Sequence, residues 1–272
     1  MREKLEKLQS LRNVVQAVSA LRPEKGEDGE SNGRTTLLVT EHPRAALDAL
    51  MLLAAAPMLR KAPMGDGHGV LVLPGMLTGD GFTRPMRGFL TNRGYVVRGW
   101  DLGRNVGPTR EVLRELPRTL AAFAEETGGP VSIVGWSMGG VFARHLAASH
   151  GDQVRQVITF GTPAPSHQRD QTRADQRIKF MEHVTDRATR EYGVPSTSIY
   201  SRNDGFVDPH ACHDEEGPMH ENVEVRCAHI GFPLDAATMW VVADRLARPA
   251  GSAAPFVAPS LLSKYLGQAQ AA

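Results

Sequence analysis

Gly135-Trp136-Ser137-Met138-Gly139 holds the residue best suited to attack a carbonyl, a serine set between small neighbours. The bare G-x-S-x-G pattern is weak evidence, because glycine and serine are common enough to meet by accident. Its setting is more specific. Val131-Ser132-Ile133-Val134 reads as a strand directly before it, and Gly139 to His150 has helical spacing directly after it. A strand that turns sharply into a helix strains the serine backbone and lifts its hydroxyl clear of the sheet. Glycines at 135 and 139 let strand and helix approach, and the helix N-terminus adds positive potential beside the reacting oxygen. The chemistry this suits is acyl transfer, with the hydroxyl activated by a base and the base oriented by a carboxylate.

These residues need a scaffold, and the rest of the chain describes one. Gly69 to Leu73, Tyr95 to Val97, Val131 to Val134, Val157 to Phe160, Ser196 to Tyr200 and Val223 to Val225 read as short strands. Arg84 to Asn92, Thr109 to Thr127 and Gly139 to His150 have helical spacing between them. Strands apolar on both faces and separated by helices predict an α/β fold, a mainly parallel sheet with helices on both faces. The 272 residues suffice for one large domain. Hydrophobic residues at 41% and charged residues at 22% mark an ordinary globular chain. Thirty-one basic against thirty acidic side chains argue against a nucleic-acid partner.

Residues 1–22 carry Leu5, Leu8, Leu11, Val15 and Val18 at three- and four-residue steps, which predicts an amphipathic helix. Pro23 to Gly33 reads as a flexible linker, so the organisation expected is 1–33 as helix and linker and 34–272 as the domain. That first helix could pack on the domain, pair with another subunit or touch a membrane surface. Its mixture of acids and bases is unlike a signal peptide, and a cytoplasmic location is expected. The most apolar stretch, Ala45 to Leu59, would make about 22 Å of helix, short of a bilayer core of about 30 Å. It reads as a buried core helix, with an interfacial helix as the other reading.

Val72-Leu73-Pro74-Gly75-Met76-Leu77, Gly-Trp-Ser-Met-Gly-Gly at 135–140, Ser201-Arg202-Asn203-Asp204-Gly205 and Ala228-His229-Ile230-Gly231 together resemble the α/β-hydrolase superfamily, and its bacterial esterase- and lipase-like members in particular. The resemblance covers roughly residues 45–250. It implies the order serine, acid, histidine along the chain. Of the ten histidines, His229 fits the base, in a loop after the last predicted strand and before a helix at Asp235 to Arg248. His145 and His150 sit on the helix after Ser137, His42 and His68 precede the first clear strand, and His167 and His183 fall in a polar insertion. The family pattern places its acid at Asp204, where Gly205 marks a tight turn; Asp208 is the alternative. The resemblance also implies an oxyanion hole from the backbone N–H groups of Met76 and Met138. Pro74 stands where many relatives carry histidine, a departure that main-chain donors tolerate.

Residues 162–193, with a long charged helix at Arg173 to Tyr192, read either as a cap over the site or as an ordinary crossover. Met76 and Met138 suggest a partly apolar acyl pocket, or simply core filling. His210, Cys212, His213, His220 and Cys227 match no common zinc spacing, so no metal is expected. Cys212 and Cys227 flank one loop and strand and could pair.

The function expected is a serine hydrolase cleaving a carboxylic ester, on a small-molecule or lipid substrate, with Ser137, Asp204 and His229 as the triad and no cofactor. An acyltransferase, or a thioesterase or lactonase, would use the same triad. A binding protein on a retained hydrolase fold is the non-enzymatic alternative.

Overall fold

The computed structural model describes residues 30–164, 193–214, 217–252, 254–262 and 266. The amphipathic segment 1–22 and most of the polar insertion at 162–193 lie outside the described residues.

Helix α1 (Glu30–Val39) opens the described chain, followed by α2 (Glu41–Ala54) and the short α3 (Ala56–Leu59). Then come β1 (Gly69–Leu73), α4 (Asp80–Asn92), β2 (Val96–Gly99), α5 (Arg110–Thr127), β3 (Val131–Trp136), α6 (Met138–Ser149) and β4 (Val154–Phe160). Strands β5 (Ser196–Ser201) and β6 (His220–Val225) and helix α7 (Ala236–Leu246) complete the set. Among the described residues the six strands form one sheet in the order β2-β1-β3-β4-β5-β6, every pair parallel.

Alternation along each strand divides the core in two. On one face Val70, Val72, Val134, Ile158 and Ile199 meet Met86, Leu90, Trp240 and Val241 of α4 and α7. On the other, Leu71, Ile133 and Val157 meet Val112, Leu116, Leu120 and Phe123 of α5 and Phe142 and Leu146 of α6. Thr109 starts α5 by accepting a hydrogen bond from the Val112 N–H, and left-handed Gly128 stops it. Strand β5, Ser-Thr-Ser-Ile-Tyr-Ser, is buried although mostly polar, because its hydroxyls have partners. Ser198 and Ser201 donate to the carbonyls of Cys212 and Cys227 at 2.6 and 2.7 Å, and Thr197 donates to Glu221 at 2.9 Å.

Two expectations change at the N-terminal side. The linker expected through Gly33 is already helical from Glu30. The apolar stretch 45–59 is not a buried core helix: α2 and α3 divide it, and Leu47, Leu50 and Leu53 are 56%, 63% and 73% exposed. The side of α2 turned inward carries Glu41 and Ala45, with Arg44 and Asp48 beside them, and these polar groups bond to loops at the sheet edge. Hydrogen-bond partners, rather than the number of leucines, decide which face of the helix is covered. Among the described residues no helix is long and apolar enough to cross a membrane.

Helix α7 begins at Asp235, whose buried carboxylate accepts from the Thr238 N–H at 2.7 Å and its hydroxyl at 2.8 Å. Burial pushes the Asp235 carboxyl up from 3.8 to about 7, against the Thr238 hydrogen bonds. With the folded value above the unfolded one, the folded chain keeps a proton that the unfolded chain releases. That stability is fully present below about pH 4 and is lost as pH rises through about 7. Asp235→Asn, which keeps a good capping side chain, should therefore be the more stable protein at pH 8, by an amount on the order of 1 kcal/mol or more. The gap should close towards pH 4; urea unfolding at the two pH values measures it, and a constant gap would contradict the burial argument.

Candidate active site

The sheet order reverses between β1 and β3: the chain leaves β1 for β2 on one side and returns to β3 on the other. Loops at the carboxyl ends of these two strands diverge and leave a crevice, where ligands bind in open α/β sheets. Residues 74–79 and Ser137 lie at that crevice.

Ser137 follows the last residue of β3 and has φ 53° and ψ −120°, a conformation that side-chain-bearing residues rarely hold. Such a backbone costs on the order of 1–3 kcal/mol and persists only when its surroundings fix it. Here the Ser137 N–H donates to the Phe160 carbonyl at 3.0 Å, and its own carbonyl accepts from Gly140 N–H at 2.9 Å and from the Thr162 hydroxyl at 3.1 Å. The packing leaves no room for side chains around the turn. A β-carbon on Gly135 would lie 2.5 Å from Gly140 Cα and 2.6 Å from the Gly139 oxygen. One on Gly139 would strike the Leu73 carbonyl of β1. Ser137 itself is half-buried.

His229 and Asp204 are brought together from two other strand ends. The Nδ1–H of His229 donates to Asp204 Oδ2 at 2.6 Å, while Asp204 Oδ1 accepts from the Phe206 and Val207 N–H groups at 2.8 Å each. One carboxylate oxygen is thus fixed by main chain and the other is left for the ring. Asp208, the alternative acid, instead accepts from the His210 N–H at 2.9 Å and caps that turn. His229 borders the serine turn through its neighbours. Its carbonyl accepts from Trp136 Nε1 at 3.2 Å, and a β-carbon on Gly161 would lie 2.9 Å from its Nδ1. Burial pulls the His229 imidazole down, but the charge and hydrogen bond of Asp204, with the charge of Glu41, overcome this and raise it.

Opposite, the β1 exit loop is pinned from the β2 side. Asn105 Nδ2 donates to the Pro74 carbonyl at 2.7 Å, and the Leu77 N–H donates to the Asn105 carbonyl at 2.7 Å. Leu77 has φ 63°, and Met76 is half-buried at the crevice. Met138 is the first residue of α6, where main-chain N–H groups lack partners one turn back. The half-buried Met138 side chain packs against the core cluster of Leu71, Trp100 and Phe142. Phe206 stands beside the imidazole, with ring centres 5.4 Å apart.

Three other histidines have partners away from the crevice. His68 bonds Asp66 through Nδ1 and Ser132 Oγ through Nε2 at 2.8 Å, a serine–histidine–aspartate chain in its own right. Ser132 is fully buried near the start of β3, at the opposite end of the sheet from the crevice, and no substrate reaches it there. His220 Nδ1 pairs with Ser196 Oγ at 2.8 Å, and His213 packs edge-on against Tyr200. Cys212 and Cys227 are both buried and are not joined in a disulfide. Among the described residues no three His, Cys, Asp or Glu side chains are grouped as a metal site.

Several residues at the site carry no sequence signal. Glu41, 188 positions before His229, accepts a hydrogen bond from the His229 backbone N–H. Asp48 accepts from the Ala228 N–H at 3.0 Å, and Asn105 holds the β1 exit loop. Each acts on main chain, which every residue has, so no motif announces it.

The Esterase family model matches residues 109–240, a span that includes Ser137, Asp204 and His229. The mouse serine hydrolase BPHL is 29% identical over 141 residues, 47% of this chain and 47% of its own, so the chain spans about half the length of that curated relative. Among solved structures, one of the metagenome-derived lipolytic enzymes LipS and LipT aligns with a TM-score of 0.50 at 17% identity, covering 68% of this chain and 93% of the other. The esterase domain of a Rhodothermus marinus protein gives 0.48 at 18% identity, covering 76% and 91%. The sheet and the first of these structures agree in architecture: the chain has the α/β-hydrolase fold.

The contact of β3 with α6 yields a direct check. Gly135→Ala should lower stability by about 1–3 kcal/mol, because the clash is with backbone and only a shift of the helix relieves it. Thermal unfolding followed by circular dichroism measures this; an unchanged midpoint would refute the tight elbow.

Proposed function

We propose that this chain, an α/β-hydrolase by fold and similar to esterases, is a serine hydrolase that cleaves carboxylic esters through Ser137, His229 and Asp204. The observation that carries this reading is the His229–Asp204 hydrogen bond, at the same sheet edge as the strained Ser137 turn.

With Nδ1–H committed to Asp204, Nε2 of His229 is the ring atom left to accept a proton. Ser137 Oγ attacks the ester carbonyl as Nε2 takes the hydroxyl proton, and a tetrahedral oxyanion forms. The Met76 and Met138 N–H groups face that oxygen in this reading, and the α6 N-terminus favours its charge. Collapse breaks the bond to the alcohol, which leaves with the proton from His229. The acyl group remains on Ser137 until water, deprotonated by His229, releases the acid. Asp204 fixes the tautomer and stabilises the imidazolium through both steps. Chain length in the acyl part would be set around Met76, Leu77 and Phe206, the half-buried side chains nearest the crevice.

Ser137→Ala is expected to lower the turnover of nitrophenyl esters by several decades, on the order of 10⁶ if chemistry limits. A variant keeping most of its hydrolysis, or a wild-type protein that a fluorophosphonate fails to label at Ser137, would sink the assignment. A panel from acetate to palmitate, with and without detergent, assigns the acyl range. Because Asp204 and Glu41 outweigh burial at His229, the acid limb of kcat/KM should lie above 6.5. A limb below that value would mean that burial dominates.

A further inference from the structure

Helices α1 and α2 reach the site from outside the six-stranded sheet, and their polar groups grip two of its loops at once. On the histidine loop, Glu41 Oε1 accepts from the His229 N–H, and Asp48 Oδ2 accepts from the Ala228 N–H at 3.0 Å. On the acid loop, Arg44 donates to the Asn203 carbonyl, the residue before Asp204. Arg44 also binds Glu41 Oε2 at 2.7 Å and the Leu37 carbonyl at 2.6 Å, which ties the grips together. The fit is close on both loops. A β-carbon on Gly205 would lie 2.7 Å from the Leu37 backbone, and one on Gly231 would strike the Asp48 carboxylate. Glu41 is fully buried, an expensive place for a carboxylate.

We infer that Glu41 is a positioning residue of the active site, holding His229 by its backbone while its charge lies beside the imidazole and Asp204. This rests on the triad reading above and extends it to a part of the chain outside the hydrolase sheet. Three charged or titratable groups face Glu41: Arg44 from its own helix, Asp204 from the acid loop and His229 from the histidine loop. Burial first and the Asp204 charge second raise the Glu41 carboxyl, while the His229 N–H, Arg44 and the imidazole hold it down. On acidification Glu41 therefore loses its charge earlier than an ordinary glutamate, and His229 loses a stabilising neighbour with it. A glutamate that only anchored a helix would leave the imidazole unaffected.

Two substitutions separate the roles. Glu41→Gln keeps an acceptor for the His229 N–H and removes the charge; Glu41→Ala removes both. The His229 titration, followed by NMR without any substrate, should shift to lower pH in Glu41→Gln, by about half a unit or more. In Glu41→Ala, kcat on a nitrophenyl ester should fall about 10–100-fold with KM within about 3-fold, the pattern of a displaced base. Leu50→Ser, at a solvent-facing position of the same helix, sets the baseline for general effects on α2. An unshifted His229 titration in Glu41→Gln overturns the inference, and so does an unchanged kcat in a folded Glu41→Ala. If Glu41→Ala does not fold, the Glu41→Gln titration alone decides. Wild-type protein inert to esters and to fluorophosphonate would refute the esterase reading while leaving the His229 shift measurable.

Discussion

Where β3 passes into α6, the backbones of strand and helix meet with nothing between them. Gly135 lies against the main chain of Gly139 and Gly140, and Gly139 against the carbonyl of Leu73 in the neighbouring strand. A helix can start so close to a parallel sheet only if the residue between takes an unusual conformation, and that residue is Ser137. The strain is therefore a consequence of packing, held by hydrogen bonds to Phe160, Gly140 and Thr162. The same approach sets the first amides of α6 next to the β1 exit loop. One steric fact thus fixes the serine, the helix terminus and the crevice.

The second determinant is electrostatic. The histidine loop carries two consecutive backbone N–H groups, at 228 and 229, each satisfied by a carboxylate, and the ring of His229 meets a third at Asp204. Arg44 is the basic side chain that bonds to this group directly. So much buried negative charge is unfavourable by itself, and burial raises the carboxyls of Glu41, Asp48 and Asp235. The imidazole of His229, facing Asp204 and Glu41, is drawn towards its protonated form.

Much of this was readable from residue order, and the exceptions are instructive. Strands β1, β3 and β4 each carry an apolar run, so their character needed no knowledge of their neighbours. Strand β5 was readable through Ile199 and Tyr200, although its burial depends on hydroxyl partners in β6 and in the loops beyond both strands. The choice between Asp204 and Asp208 turned on which carboxylate the imidazole meets, a matter of loop shape that a glycine only hinted at. Helix α2 departs from the burial its sequence suggests because apolar content reports a tendency to be covered and says nothing of what is available to cover it. Glu41, Asp48 and Asn105 were invisible for a related reason: their partners are peptide groups, and those at 41 and 48 lie 188 and 180 positions away.

That separation also orders events during synthesis. Glu41 leaves the ribosome 188 residues ahead of the amide it binds, which at about 5–20 residues per second is an interval of about 10–40 s. Until Asn203 emerges, 159 residues after Arg44, α2 has neither loop to hold, and Leu47, Leu50 and Leu53 add apolar surface to a nascent chain whose sheet is incomplete. A contact of such range also carries a loop-closure cost that local helices do not, so it belongs among the late steps of folding. The setting of His229 is therefore sealed by the earliest part of the described chain closing on one of the last.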